Sequence, residues 1–225
     1  MKKTIIIILV LIGVLLIILI RSKVYAPTAD NKQEAIPSKN GSQAQTVKPT
    51  PISDYYYPIT DYNQRIQIHS YGTLVKPGDE KALICGRAFS GYHAGDDLEI
   101  KPGEASIDVS IKAIAAGTVR EVSWVSGYGG LVVIEHSLNG QAVTAYYGHM
   151  NTNSVYLKTG DTVVAGQAIG NLGQGCSQQT DYERKHLHFD IHKGTTLDVR
   201  GYVPSLSILS QWLDPKAELA SIGAK

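Results

Sequence analysis

The stretch Lys185-His186-Leu187-His188-Phe189-Asp190-Ile191-His192 places a polar side chain at every second position. Alternation with period two predicts a β-strand whose four polar residues share one face and whose three apolar residues face a core. Two histidines two positions apart on a stiff strand are a ready pair of metal-binding or proton-transfer groups. An isolated HxH pattern is only weakly specific, so the remaining sequence decides its meaning.

Short apolar runs separated by turns predict further strands along the same part of the chain. The runs lie at residues 65–69, 82–85, 107–114, 117–122, 131–136, 142–147, 162–164, 168–172 and 186–191. Turn signals such as Leu138-Asn139-Gly140 lie between them. Residues 205–213, followed by Asp214-Pro215, have the pattern of a short helix. We therefore expect an all-β, antiparallel sheet domain.

Composition narrows the class of partner. The chain has 225 residues, a formal net charge of +1 and 18% charged residues. It lacks the basic excess that proteins use to bind nucleic acid, so no nucleic-acid partner is expected. The sequence does not predict an oligomeric state.

The N-terminus has the pattern of a membrane anchor or signal sequence, residues 1–23. Lys2-Lys3 precedes an apolar run over residues 5–20, and Arg21 and Lys23 follow it. The isoleucine-rich length and the flanking charges favour an uncleaved anchor, and the first candidate cleavage residue, Ala26, precedes Pro27, a poor setting for cleavage. We expect a single-pass protein of the cell membrane with its domain outside the cytoplasm, or a secreted protein if the segment is cleaved.

Residues 24–52 predict a flexible linker, since they are rich in Pro, Ser, Gln, Asn and Lys and nearly lack bulky apolar side chains. The folded domain is then residues 53–225.

Two further motifs add candidate chemistry to the strand 186–191. His93 and Asp97 lie four positions apart around Gly95, in a pattern that suits a curled loop. Three ligands drawn from His and Asp, with one position left to water, make a catalytic zinc site. His149 follows a predicted strand and is a base, an oxyanion donor or a satisfied core histidine. The residues alone do not decide which of His186 and His188 would bind a metal.

Five motifs in order resemble the lysostaphin-type (LytM-like) zinc endopeptidases, which cut peptidoglycan peptides. The resemblance runs from about residue 57 to residue 215. It is carried by His93-x-Gly-x-Asp97, residues 115–119, residues 127–136, Tyr147-Gly148-His149 and His186-Leu187-His188-Phe189.

The resemblance implies a fold, a metal and a role for each residue. The fold would be the lysostaphin/LytM type, a duplicated hybrid motif. The ligands of one Zn²⁺ would be His93, Asp97 and His188, and the catalytic histidines His149 and His186. The substrate groove would include Tyr128, Gly129 and Tyr147.

The implied activity is hydrolysis of peptide crosslinks or bridges of peptidoglycan, without indication of which bond. Some relatives are non-catalytic regulators that bind and activate other cell-wall hydrolases. The intact ligand set here favours an enzyme.

Other residues depart from the family pattern or lie outside it. Asp190 stands where the family often has glutamate, so its supporting role is open. The segment between Asp97 and Gly117 is longer than usual. His192 is expected at the surface, and His136 is expected to be structural.

The two cysteines allow two interpretations. Cys85 and Cys176 each precede a metal-binding motif, so a disulfide would draw the two halves of the site together. Two free thiols are the alternative. A cysteine peptidase is a rival enzyme class, but neither cysteine opens a predicted helix, the usual means of lowering a thiol pKa.

Overall fold

The computed structural model describes residues 55–79, 85 and 88–225. The predicted anchor or signal sequence (1–23), the linker (24–52) and most of the predicted strand 82–85 lie outside these residues. No helix within the described part of the chain is both long and apolar enough to cross a membrane. The described residues belong to one compact unit of the chain.

Strands dominate the described residues. The strands are β1 (Leu74–Val75), β2 (Gly91–His93), β3 (Gly95–Glu99), β4 (Ser110–Lys112), β5 (Gly117–Val125), β6 (Gly129–Leu138), β7 (Gln141–Gly148), β8 (Met150–Asn151), β9 (Thr162–Val163), β10 (Ala168–Leu172), β11 (His186–Lys193), β12 (Tyr202–Val203) and β13 (Trp212–Leu213). Two short helices, α1 (Leu206–Leu209) and α2 (Pro215–Ser221), follow near the C-terminus. Short 3-10 turns lie at Tyr62–Gln64, Thr152–Ser154 and Gln178–Thr180.

A central antiparallel sheet organises the domain. Its strand order is β13-β11-β7-β6-β5-β9, and β3 also pairs with β11. Two smaller sheets have the orders β1-β2-β12 and β4-β10-β8. All strand pairs are antiparallel, so the predicted antiparallel β architecture is confirmed for the described residues.

Strand β11 has the predicted alternation, and both of its faces are buried. Its apolar residues belong to the main hydrophobic cluster and are fully buried. The polar face is covered as well: Asp190 is 0% exposed and His192 is 5% exposed. The expectation that His192 lies at the surface is wrong, because β13 covers this end of β11. The rings of His192 and Trp212 meet edge to face, 4.7 Å apart.

The predicted strand 65–69 is absent. Only Gln67 makes an isolated bridge, to Leu98. Ile66 and Ile68 are 73% and 48% exposed, so this apolar alternation faces solvent. Apart from that bridge, two backbone hydrogen bonds join the segment to β3, from Asp97 N to His69 O and from Glu99 N to Ile66 O. This pairing is too short to form a strand. The predicted strand 107–114 likewise shortens to β4.

The tail differs from the single helix predicted over residues 205–213. Helix α1 is four residues long, and Trp212–Leu213 pair with β11 instead. Asp214-Pro215 begins a second helix: the Asp214 side chain accepts a hydrogen bond from Ala217 N, and Pro215 occupies the first turn. An Asp cap followed by Pro starts a helix well, since Pro lacks an N–H that the first turn leaves unpaired.

Candidate metal centre

Three side chains on three strands converge at one end of β11. The candidate ligand atoms of His93, Asp97 and His188 all lie within 4.8 Å of one another. His93 ends β2 and Asp97 lies in β3, opposite His188 in the antiparallel register. The H-x-G-x-D segment was expected to be a curled loop, but it is two short strands, so strand pairing fixes Asp97. Gly95 permits this pairing because a Cβ there would lie 2.2 Å from Phe189 O.

The three groups form a tight buried triangle. Asp97 Oδ1 is 2.9 Å from His188 Nδ1 and 3.2 Å from His93 Nε2, and the two nitrogens are 3.0 Å apart. All three side chains are at least nine-tenths buried. Two imidazole nitrogens and one carboxylate oxygen fit the ligand preferences of zinc. A cation at their centre would replace their mutual contacts, so these residues fit the implied ion.

A second carboxylate sets the orientation of His188. Its Nε2 lies 3.0 Å from Asp190 Oδ2, which also accepts a hydrogen bond of 2.8 Å from the Tyr128 hydroxyl. With Nε2–H donating to Asp190, Nδ1 is the ring nitrogen that faces Asp97 and His93, and it would bind a metal once its proton is lost. Burial lowers the pKa of His188, but hydrogen bonds to Asp190 and Asp97 outweigh burial and raise it to about 9.

The two predicted catalytic histidines lie next to the triangle. The rings of His149 and His186 are 4.3 Å apart. His186 Nδ1 donates to Arg184 O at 2.9 Å, which leaves Nε2 facing Asp97 Oδ1 at 3.4 Å. Burial, together with His186 and His188, lowers the pKa of His149 well below its usual value, so its imidazole is neutral at pH 7.

The backbone also fixes His149. It has a φ of 58°, its N–H donates to Tyr128 O at 2.8 Å, and its carbonyl accepts from Gly173 N at 2.7 Å. A histidine with positive φ is uncommon, and here hydrogen bonds to two separate loops hold it.

Arg184 is a site residue that sequence reasoning missed. Its Nη2 donates to Asp97 Oδ2 at 2.9 Å and its Nε donates to Glu99 Oε1 at 2.9 Å. Burial lowers the pKa of Arg184, but Asp97 and Glu99 outweigh it, so the guanidinium stays charged. One signal was available in the sequence, since Arg184 continues the alternation of His186 and His188 by one step.

A cleft opens onto four of the five clustered residues. Asp97, His149, His186 and His188 line it, together with Phe89, Ser126, Gly127, Tyr128, Val199 and Tyr202. Tyr128 therefore lies where the groove was expected. Gly129 is buried against Gln179 O, and Tyr147 is fully buried, so neither lines the cleft. The Tyr147 hydroxyl instead accepts from Ile114 N and contacts His136.

A disulfide joins Cys85 to Cys176. The bond links the segment before β2 to the segment before β11, and thus the two parts of the chain that supply the triangle. The interpretation as two free thiols, and with it a cysteine nucleophile, does not agree with this bond.

Known proteins match the stretch that carries the cluster. The model of Peptidase family M23 matches residues 91–199. An uncharacterised protein of Haemophilus influenzae is 35% identical over 100 residues, 44% of this chain and 22% of that protein. The murein hydrolase activator EnvC of Escherichia coli is 36% identical over 89 residues, 40% of this chain and 19% of EnvC. The match thus spans about a fifth of each curated relative.

Solved structures resemble the chain over a larger share of its length. The crystal structure of cbpa from L. salivarius REN aligns with a TM-score of 0.49 at 19% identity, covering 76% of this chain and 97% of that chain.

Proposed function

Because residues 91–199 of this chain belong to peptidase family M23, we propose that the domain is a zinc-dependent endopeptidase acting on bacterial peptidoglycan. It would hydrolyse peptide crosslinks or bridges. The observation that carries the proposal is the convergence of His93, Asp97 and His188 beside two further histidines in an open cleft.

The metal would be held by the triangle of His93, Asp97 and His188. A bound zinc ion supplies Lewis acidity and lowers the pKa of a bound water to about 7. Asp190 would keep His188 in the tautomer whose Nδ1 is free to bind.

The chain's own groups would handle the protons. His186 is oriented as a proton acceptor, since its Nδ1–H is held by Arg184 O and its Nε2 faces the triangle. His149 lies against it as a neutral imidazole whose N–H would stabilise the developing oxyanion. His186 would then pass the accepted proton to the leaving amine.

The cleft suits an extended peptide. Gly127 lines the cleft without a side chain, so a peptide could lie close to its backbone. Its N–H donates to Asp181 Oδ2, which fixes the tip of the β5–β6 hairpin. The rings of Phe89 and Tyr202, which also line the cleft, stack 5.2 Å apart. A flat wall of this kind would pack against peptide side chains.

A regulatory role is the second candidate. EnvC, by its name an activator of murein hydrolases, is among the curated relatives that match. A regulator of that kind would bind another hydrolase and would not need the three ligands. Their presence together favours catalysis.

The location of the domain follows only from the sequence. Residues 1–23 would anchor the chain in the cell membrane, with the catalytic domain outside the cytoplasm, or would be cleaved on secretion. Both alternatives bring the cleft to the cell wall.

The test compares the purified full chain with its His188→Ala variant. The wild type should contain one zinc per chain and release new peptide termini from purified cell walls. The variant should lose both, while His136→Gln, a buried histidine outside the triangle, should keep both. If wild type and His188→Ala release the same peptides, the enzyme proposal fails. If neither cuts but the wild type accelerates a separate wall hydrolase, the regulatory candidate replaces it.

A further inference from the structure

We infer that Arg184 is a positioning residue of the metal centre, which holds Asp97 so that a single carboxylate oxygen faces the ion. The inference rests on the proposed function, because it assumes that the triangle binds a metal. It assigns a role to a residue that no motif identifies.

The two oxygens of Asp97 have different surroundings. Oδ1 lies within 3.4 Å of three imidazole nitrogens, those of His93, His186 and His188. Oδ2 instead accepts a hydrogen bond of 2.9 Å from Arg184 Nη2. A carboxylate held in this way presents one oxygen to the triangle and cannot turn without breaking a charge-assisted bond.

A second carboxylate anchors the guanidinium itself. Glu99 Oε1 accepts from Arg184 Nε at 2.9 Å and lies 2.8 Å from Nη2. Glu99 and Asp97 are alternate residues of β3, so they project from the same side of the strand. Arg184 therefore binds the carboxylates of Asp97 and Glu99 together, and its planar guanidinium fixes the distance between them.

The strand register explains why residue 184 reaches this place. His188 lies opposite Asp97 and His186 lies opposite Glu99. Arg184 is one alternation beyond the last pair, so its long side chain folds back along β3. Its side chain is only 11% exposed, so water does little to screen these contacts.

The sign of the effect on metal affinity separates positioning from simple charge. A guanidinium next to a cation repels it, so removing the charge alone would tighten metal binding. Loss of a contact that orients a metal ligand instead weakens metal affinity, commonly by about 10–100-fold. The two explanations therefore predict opposite results for the same substitution.

The experiment measures zinc affinity of the full chain by competition with a chromophoric chelator. We expect Arg184→Met to weaken binding by roughly 10–100-fold. Arg184→Lys, which keeps the charge but not the planar guanidinium, should lose less zinc affinity. Arg120→Met serves as the matched control, because it removes another arginine–carboxylate pair, with Glu135, on β5 and β6. Its affinity should equal that of the wild type.

A spectroscopic readout accompanies the affinity. With Co²⁺ in place of zinc, the visible absorption of Arg184→Met should shift, because Asp97 becomes free to bind through both oxygens. Arg120→Met should give the wild-type spectrum.

Each outcome decides the inference. Unchanged or tighter zinc binding by Arg184→Met, with an unchanged Co²⁺ spectrum, overturns it while leaving the metal site intact. Absence of zinc binding by the wild type overturns the proposed function and this inference together. If Arg184→Met does not fold, Arg184→Lys carries the test: wild-type affinity and spectrum in that variant would overturn the role of the planar fork.

Discussion

His136 shows how one buried side chain makes the stability of this domain depend on pH. Its Nδ1–H donates to Ala116 O at 3.1 Å, and its Nε2 lies 3.2 Å from the Tyr147 hydroxyl. The Tyr147 oxygen in turn accepts from Ile114 N. This chain of contacts is complete only with a neutral imidazole, and burial lowers the pKa of His136 to about 4.

Acidification should therefore destabilise the domain through His136. The unfolded chain binds this proton with a pKa near 6.5 and the folded chain near 4, so the contribution is complete above pH 6.5. It falls as the pH drops from 6.5 towards 4, by about 3 kcal/mol in total. Thermal unfolding of wild type and His136→Gln across this range should converge at low pH. Parallel curves would contradict the assignment.

At the same scale, the sequence reveals residue types more readily than their surroundings. The sequence names His93, Asp97, His149, His186 and His188 as candidates, and the structure brings them together. Only the family resemblance assigns different roles to His186 and His188. Arg184 escaped notice because an arginine beside a strand has no motif. Tyr147 was placed in the groove, yet its side chain faces the core.

The segment between β10 and β11 is the element that holds the site in place. Cys176 ties it to Cys85 through the disulfide, and Lys185, at its other end, is buried. Lys185 Nζ donates to Glu104 O at 3.0 Å and to Ile107 O at 2.7 Å. The long segment after β3, which the sequence suggested would reshape the groove rim, is thus fastened next to β11.

Loss of the disulfide should lower the free energy of unfolding substantially. The bond joins residues 91 positions apart, and closing a loop of that length stabilises a fold by about 2–5 kcal/mol. Urea unfolding of a Cys85→Ser, Cys176→Ser double variant should show this loss. Reductant should bring the wild type to the same midpoint and leave the variant unchanged. Equal midpoints for wild type and variant without reductant would contradict it.

Elements with strong local patterns were predictable, and elements defined by their partners were not. The alternation of β11 and the apolar runs of β6 and β7 predict strands correctly, because each strand is long and packs against the core. Strand β3 begins Gly95-Asp96-Asp97, residue types that are rare in strands, and exists because it pairs with β11. Conversely, residues 65–69 have a strand pattern but pair with β3 only through one isolated bridge and two further backbone hydrogen bonds.

At the scale of the whole molecule, the candidate ligands join two sheets. His93 belongs to the small sheet through β2, whereas Asp97 and His188 belong to the central sheet. Only three residues of chain, 94–96, separate His93 from Asp97. A metal bound by all three would bind the folded state in preference to the unfolded chain.

Metal removal should therefore lower the melting temperature. An ion present at a hundred times its Kd stabilises the folded state by about 2.7 kcal/mol, which corresponds to about 5–10 °C for a domain of this size. Thermal scans of the wild type with excess zinc and with excess chelator should differ by this amount. The His188→Ala variant should melt at one temperature under both conditions. An unchanged wild-type melting temperature would contradict metal binding at the triangle.

The division of the candidate ligands between two sheets has a consequence for when a metal could first bind. Neither sheet alone contains the full set of donor atoms, so no partly assembled domain presents them together. A folding chain would therefore have the complete set of candidate ligands only once the two sheets have docked.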